Sequence, residues 1–348
     1  MKPKDLGEPH PPSLQRITQM AALHRKTEYG VGFEDNTGPL DDVLNDPSTK
    51  GYFHNLFNKR IFHFAYININ FFYFKRADIY NRLKVLKRIA HLFEDKKTPE
   101  RPVYTILAGI LRRRSDMHPA AVASSFKTIH RPDLFISRAD RAGQDINMKK
   151  CRILPPTLLK PPQFEYYNFS LETGVAYVSG LDEKRSDGIG QTALSVSAAV
   201  FGRWYYYNFL DDDHSPGFPV GYKCYIAHEM QQEGSMAEVC KQSEFEVKYH
   251  KAFNIKYILN KTVQLAEFRI FLYDSPETLL YKLCMSKKAA AGVKYGLTAY
   301  DINHDDPDGV CGNGQFPLLN AMKKAVEFYK NSYKTAADSQ KCLSATKD

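Results

Sequence analysis

Residues able to do chemistry are thinly spread along this chain, and the most regular set lies between Ala65 and Phe72. The stretch Ala65-Tyr-Ile-Asn68-Ile-Asn70-Phe-Phe72 reads as a buried strand, in which residues two apart share a face. Asn68, Asn70 and Phe72 therefore point one way and Ile67, Ile69 and Phe71 the other. Two carboxamides can hydrogen-bond but carry no charge, and a phenyl ring has no proton to give, so acid–base work is not expected from that face. Asp140 and Asp301 fall near the ends of other strand-like runs. As a pair they would supply a carboxylate acid and base; taken singly they are loop-capping groups. Asp211-Asp212-Asp213-His214 lacks the spacing of a calcium loop and reads as a solvated loop, and His228-Glu229 has no histidine at position 232, which excludes a zinc-protease helix. No metal and no cofactor is expected.

The elements that must hold these residues alternate between strand and helix patterns from about residue 15. A helical pattern over Leu14 to Arg25 leads to a short strand near Tyr29 to Phe33 and a second helical stretch around Pro47 to Asn58. The apolar run Ile61 to Asn70 follows. An amphipathic helix then places Ile79, Leu83, Leu86, Ala90 and Phe93 on one face. Further strands are expected at Val103 to Ile110, Leu134 to Arg138, Thr192 to Val200 and Lys294 to Tyr300, and a last helix at Pro317 to Tyr329. Such alternation argues for βα units and a parallel sheet. Between Arg203 and Glu267 the pattern becomes Tyr-rich and punctuated by Gly and Pro, as in an inserted α+β subdomain. The expected divisions are an irregular 1–13, a first parallel part 14–203, the insertion 204–267, a second parallel part 268–333 and a frayed tail 334–348.

Composition sets outer bounds. The chain has 348 residues, 43% hydrophobic and 25% charged, enough for one large or two modest globular domains. A net charge of +9 favours acidic partners, but Lys and Arg are scattered, with short clusters such as Arg112-Arg113-Arg114, so a solvated basic surface is expected and no nucleic acid. No apolar run approaches the ~20 residues of a membrane span, and the first residues lack the apolar stretch of an export signal. Cys151, Cys224, Cys240, Cys284, Cys311 and Cys342 contain no C-x-x-C pair, so a zinc ribbon is not expected. The even number of cysteines and two glycosylation sequons, at Asn168 and Asn260, point instead to an oxidising setting.

Several stretches, in order, resemble the family 18 glycoside hydrolases, the chitinases and chitinase-like lectins, and together cover about residues 14 to 330. They are Leu44-Asn45-Asp46-Pro47 with Phe53, Phe201-Gly202-Arg203, Gly234-Ser-Met-Ala-Glu-Val-Cys240, Tyr273-Asp274-Ser275-Pro276-Glu277-Thr278-Leu279 with Lys282, then Asp301, Cys311-Gly-Asn-Gly314 and Pro317-Leu-Leu-Asn-Ala321. The resemblance implies an α/β fold, a (β/α)8 TIM barrel with its cleft at the carboxyl ends of the strands. It also implies that only strands three to eight are present. A barrel short of two strands leaves exposed edges through which the chain would oligomerise.

The family's fourth strand carries Asp-x-x-Asp-x-Asp-x-Glu, and the matching positions are Ala65, Asn68, Asn70 and Phe72. In the family the Glu protonates the glycosidic oxygen while the substrate's acetamide attacks, so the replacement by Phe72 implies a pseudoenzyme, with no catalytic residue. Family-type polar groups survive at Asp140 and Arg203, while Phe201 lacks a hydroxyl and Thr298 stands where a stacking Trp is expected. Asn70, Asp140, Phe201, Arg203, Trp204 and Asp301 are then candidates for binding chitin, chitooligosaccharides or other N-acetylglucosamine-containing glycans. The run Trp204-Tyr-Tyr-Tyr207 would line such a groove or simply pack between barrel and insertion. Alternatives are a weak residual hydrolase using substitute carboxylates and a degenerate interaction protein without a glycan ligand. The resemblance further implies an extracellular protein with Cys224 bonded to Cys240 and Cys284 to Cys311, leaving Cys151 and Cys342 without an argued partner.

Overall fold

The computed structural model describes residues 12–23, 26–33, 44–45, 49–70, 76–110, 118–140, 152–162, 169–208, 220–222, 224, 233–241, 245–260 and 267–345. Phe72, Cys151, Asn168, the Asp211 to His214 run and the His228-Glu229 pair lie outside them.

The chain forms two compact units, Met1–Ser137 with Tyr177–Ser195, and Arg138–Ala176 with Val196–Asp348. Its main sheet runs β1 (Tyr29–Phe33), β2 (Ile61–Asn70), β3 (Thr105–Ile110), β4 (Leu134–Ser137), β5 (Ala193–Ala199) and β11 (Gly296–Tyr300), neighbours in that order. β1 pairs with β2, β2 with β3 and β3 with β4, each in parallel. The architecture is an incomplete (β/α)8 barrel of six parallel strands.

The first unit opens with α1 (Pro12–Leu23), and its β2 is covered by α2 (Thr49–Asn58) and α3 (Arg76–Leu92). The apolar periodicity of α3 buries Ile79, Leu83, Leu86 and Ile89 completely, each worth roughly 1.5–3 kcal/mol of burial. Phe64 of β2 lies 5.3 Å from Phe53 of α2 and stacks on Phe93 at 5.4 Å, while Phe62 meets Phe57 at 5.2 Å. Phe62 and Phe64 thus face the helices. A register shift lies between Tyr66 and Ile69, where three steps on β2 match two on β3, from Leu107 to Gly109. The helices α4 (Pro119–Thr128) and α5 (Leu171–Asp182) were not read from the sequence.

The second unit carries the insertion. Its five-stranded sheet has the order β7 (Glu233–Gly234), β6 (Gly202–Asn208), β10 (Glu267–Tyr273), β9 (Ile255–Asn260) and β8 (Val247–His250), all antiparallel. β10, which begins where the insertion was expected to end, pairs with β6 and β9 and carries this sheet as far as Tyr273. Tyr205, Tyr257, Ile270 and Leu272 form its core with Ile153. Gly202 is required where β6 passes the Phe271 ring, since a Cβ there would lie 2.0 Å from a ring carbon.

Three helices follow β10: α7 (Pro276–Lys287), α8 (Pro317–Asn331) and α9 (Asp338–Ala345), with α6 (Met236–Cys240) preceding them in the insertion. Ser275 and Thr278 cap α7 reciprocally, with Pro276 at its first position. The tail expected to fray is α9. Asp338 accepts from the backbone N–H groups of Lys334 and Thr335 before it, and Cys342 is completely buried.

The disulfides also differ from the expected pairs. Cys240 bonds to Cys311 and Cys284 to Cys342; Cys224 is disulfide-bonded as well. The physical reason is the position of α9: it brings Cys342 to 5.8 Å, Cα to Cα, from Cys284 on α7, and Cys311 is left for Cys240 at 5.5 Å.

Candidate functional site

The residues expected to carry function divide between the two units. Ala65 and the backbone of Asn68 and Asn70 belong to β2 in the first, where Ala65 is half-buried and Asn70 pairs with Ile110. Asp140, Phe201, Arg203, Trp204 and Asp301 all belong to the second, and there the structure supplies a connected polar cluster.

The cluster starts where the chain leaves β4. Arg138 and Asp140, two residues apart, form a buried bidentate pair: Arg138 Nη2 donates to Oδ2 at 2.5 Å and Nε to Oδ1 at 3.3 Å. The Ser197 hydroxyl of β5 donates to the same Oδ1, and Ser197 Oγ accepts from the backbone N–H groups of Ala139 and Asp140 at 2.8 and 3.2 Å. Asp140 also bridges to Thr157 through the backbone, and Thr157 Oγ1 accepts from Ala199 N. The Arg138 guanidinium carbon lies 3.8 Å from the centroid of the Tyr300 ring at the end of β11. Burial works against the Arg138 charge, but the Asp140 carboxylate more than offsets it and raises the pKa above its ordinary value. Both Asp140 oxygens thereby accept hydrogen bonds within the cluster.

Around this pair sit further ionisable groups. Arg203 of β6 is 1% exposed and faces Glu233 of β7 across the backbone ladder. Burial raises the pKa of Glu233, with Asp301 adding to the effect and Arg203 and His304 opposing it. Asp301 is raised in the same way, by burial and then by Asp140. Burial also pushes the Tyr300 phenol up, so it stays protonated. Phe201 is 2% exposed and Trp204 packs against Phe271 with ring centroids 4.8 Å apart. Next to it Tyr205 is fully buried and donates to Leu154 O at 2.7 Å, so that member of the aromatic run is a core residue of the insertion.

Arg138, Ser197, Glu233 and Tyr300 were not singled out in the sequence. Glu233 directly precedes the Gly234 of a quoted motif, and Arg138 lies inside the segment that carries Asp140; for Ser197, in a run of small residues, no sequence signal exists. Among the described residues no group of three or more His, Cys, Asp or Glu side chains is arranged to hold a metal ion. No described helix is long and apolar enough to cross a membrane.

No protein-family model matches this chain, and no curated protein matches it in sequence. Solved structures do match in three dimensions. A group IV chitinase from Ostrinia furnacalis superposes with a TM-score of 0.60 at 12% identity, covering 90% of this chain and 84% of that one. The fold is that of family 18 chitinases. A class V chitinase from Cycas revoluta, solved as a mutant in complex with a GlcNAc trimer, matches at TM-score 0.59 and 12% identity over 92% of this chain and 89% of its own. A chitinase-like agglutinin from Robinia pseudoacacia matches at 0.55 and 10%, over 90% and 85%. The chitinase-type fold is therefore shared with enzymes and with a lectin, and fold alone does not choose between them.

Proposed function

We propose that this chain is a non-catalytic, extracellular chitinase-like protein that binds chitooligosaccharides or other N-acetylglucosamine-containing glycans. The observation that carries the reading is the state of Asp140. A carboxylate that must polarise a substrate or move a proton has to be within the substrate's reach, and Asp140 is fully buried, with its oxygens hydrogen-bonded to Arg138 and Ser197. The motif positions Ala65, Asn68, Asn70 and Phe72 add no carboxylate. What remains suits hydrogen bonding to a ligand: the Tyr300 hydroxyl and the Glu233 and Asp301 carboxyls. One protein similar in fold, from Robinia, is described as a chitinase-like agglutinin. The disulfides accord with an oxidising compartment.

The test is calorimetric titration with the GlcNAc trimer, with chromatography of the mixture after long incubation. Heat of binding without shortened products is expected, and weaker binding by Asp301→Asn. Absence of binding would overturn the reading. A second reading, weak hydrolysis, draws on the raised pKa of Glu233 beside Asp301. It requires shortened products that disappear in Glu233→Gln.

A further inference from the structure

A cavity of about 670 Å3 opens among the first turns of α7 and α8 and the last turns of α9, within the second unit. Its volume is in the range of small-molecule sites, about 300–1,000 Å3. The cavity shares no lining residue with the cluster around Asp140. Leu280, Ala321 and Pro317 provide its apolar surface and are buried. Tyr281, 39% exposed, stands over that surface with the polar side chains of Asn313, Lys324 and Gln340. Among the described residues these four polar side chains have no hydrogen-bond or ion-pair partner, so their bonding capacity is unspent.

The walls are fixed. Cys284–Cys342 ties α9 to α7, and the hydroxyls of Tyr329 on α8 and Tyr333 donate to the backbone carbonyls of Leu283 and Cys284. A preformed pocket of this kind binds without the cost of ordering its own sides.

The chemistry of the ligand follows from what is already satisfied. Two helix N-termini border the cavity, which would ordinarily favour an anion. Here Ser275 Oγ accepts from Thr278 N on α7, and the Asp305 carboxylate accepts from Leu318 N and Leu319 N on α8 at 2.9 and 2.7 Å. Those N–H groups are spent, and Asp305 adds negative charge. Glu277, also in the lining, is engaged by the Ser275 hydroxyl at 2.6 Å and faces Lys256 at 3.9 Å. With Lys324 opposite, the two lining charges cancel. What is left is an aromatic ring, two primary amides, an ammonium and an apolar floor. A molecule with hydroxyls around its rim and a C–H face on one side satisfies this set; a phosphate or a purely apolar ligand does not.

We propose that this groove is a binding site for an uncharged, polyhydroxylated ligand one or two sugar rings in size. The proposal stands independently of glycan binding at the Asp140 cluster. Its test is saturation-transfer NMR and titration of the full chain with cellobiose and chitobiose, and with glucose 1-phosphate as the anionic comparison. Tyr281→Ala and Gln340→Ala change exposed side chains, and unchanged melting temperatures will show that both variants fold. Binding of a neutral disaccharide, weakened about tenfold by Tyr281→Ala and measurably by Gln340→Ala, is expected. Absence of neutral-disaccharide binding, a preference for the phosphate, or affinity unaltered in both variants would overturn the proposal. In the last case the sugar sits elsewhere, and the Asp140 reading survives.

Discussion

Arg138 and Asp140 are each nearly inaccessible, at 7% and 0% exposure, and they pair with one another, with Tyr300 beneath Arg138 and Ser197 bonded to Asp140. Removing one member of such a pair leaves a buried charge unmatched, whereas replacing both by apolar groups removes the desolvation cost along with the attraction. Arg138→Leu or Asp140→Leu alone should therefore lower stability by about 3–5 kcal/mol in urea denaturation. The double variant should recover much of that loss; a double variant as unstable as the sum of the two singles would contradict the pairing.

His63 of β2 offers a second residue-level test. Its Nδ1 accepts from Tyr104 N at 3.3 Å, so that nitrogen carries no proton, and Nε2 is left to donate to Glu28 at 3.1 Å. Burial lowers its pKa below the ordinary 6.5, with Glu28 pulling the other way. The neutral ring is favoured in the folded chain, so its contribution is complete above about pH 6.5 and lost as pH falls through the lower folded value. Melting temperature should fall with acidification in that window, and His63→Asn should flatten the fall. An unchanged slope in the variant would assign it to other groups.

Among the elements, the six parallel strands and the longer helices were legible because their signals are local. The run Ile61 to Asn70 and the stripe from Ile79 to Phe93 declare themselves by period alone. The bulge between Tyr66 and Ile69 did not, because it exists only relative to the neighbouring strand. The same limit hid the disulfides. Cysteine spacing cannot say which helix will return to which, and α9, short and polar, gave little reason to expect a docked helix carrying Cys342. Peptide mapping without reduction should recover Cys240 with Cys311 and Cys284 with Cys342. Cys240→Ser should cost about 2–5 kcal/mol, as expected for a native bridge across 71 residues. Fragments joining Cys284 to Cys311 would show that the other pairing exists in solution.

Over the whole molecule, the chain passes between its two units three times, after Ser137, Ala176 and Ser195. Neither unit is a continuous stretch. Residues 138–176, though early in sequence, find their partners late: Leu154 O accepts from Tyr205, and Thr157 O from the buried Lys282 Nζ at 2.8 Å. A fragment ending at Ser195 keeps all of the first unit but strands that segment without Ser197, Tyr205 or Lys282. It should be recovered as aggregate, while the full chain unfolds in one transition. A soluble fragment with sharp NMR dispersion would contradict this. The candidate site follows the same rule. Asp140, Arg203 and Asp301 were visible one at a time, but Glu233 gains its meaning only from β7 lying against β6.

Trp204 is the sole tryptophan of the chain, and it lies against Phe271 in the antiparallel sheet of the second unit. Its emission is consequently a local gauge. A fluorescence melt follows the β6–β10 contact and does not see the phenylalanine cluster of Phe53, Phe64 and Phe93 in the first unit. Far-ultraviolet circular dichroism weighs the helices of both. Recording the two signals side by side converts the placement of one side chain into a measure of whether the halves of this interleaved chain melt together.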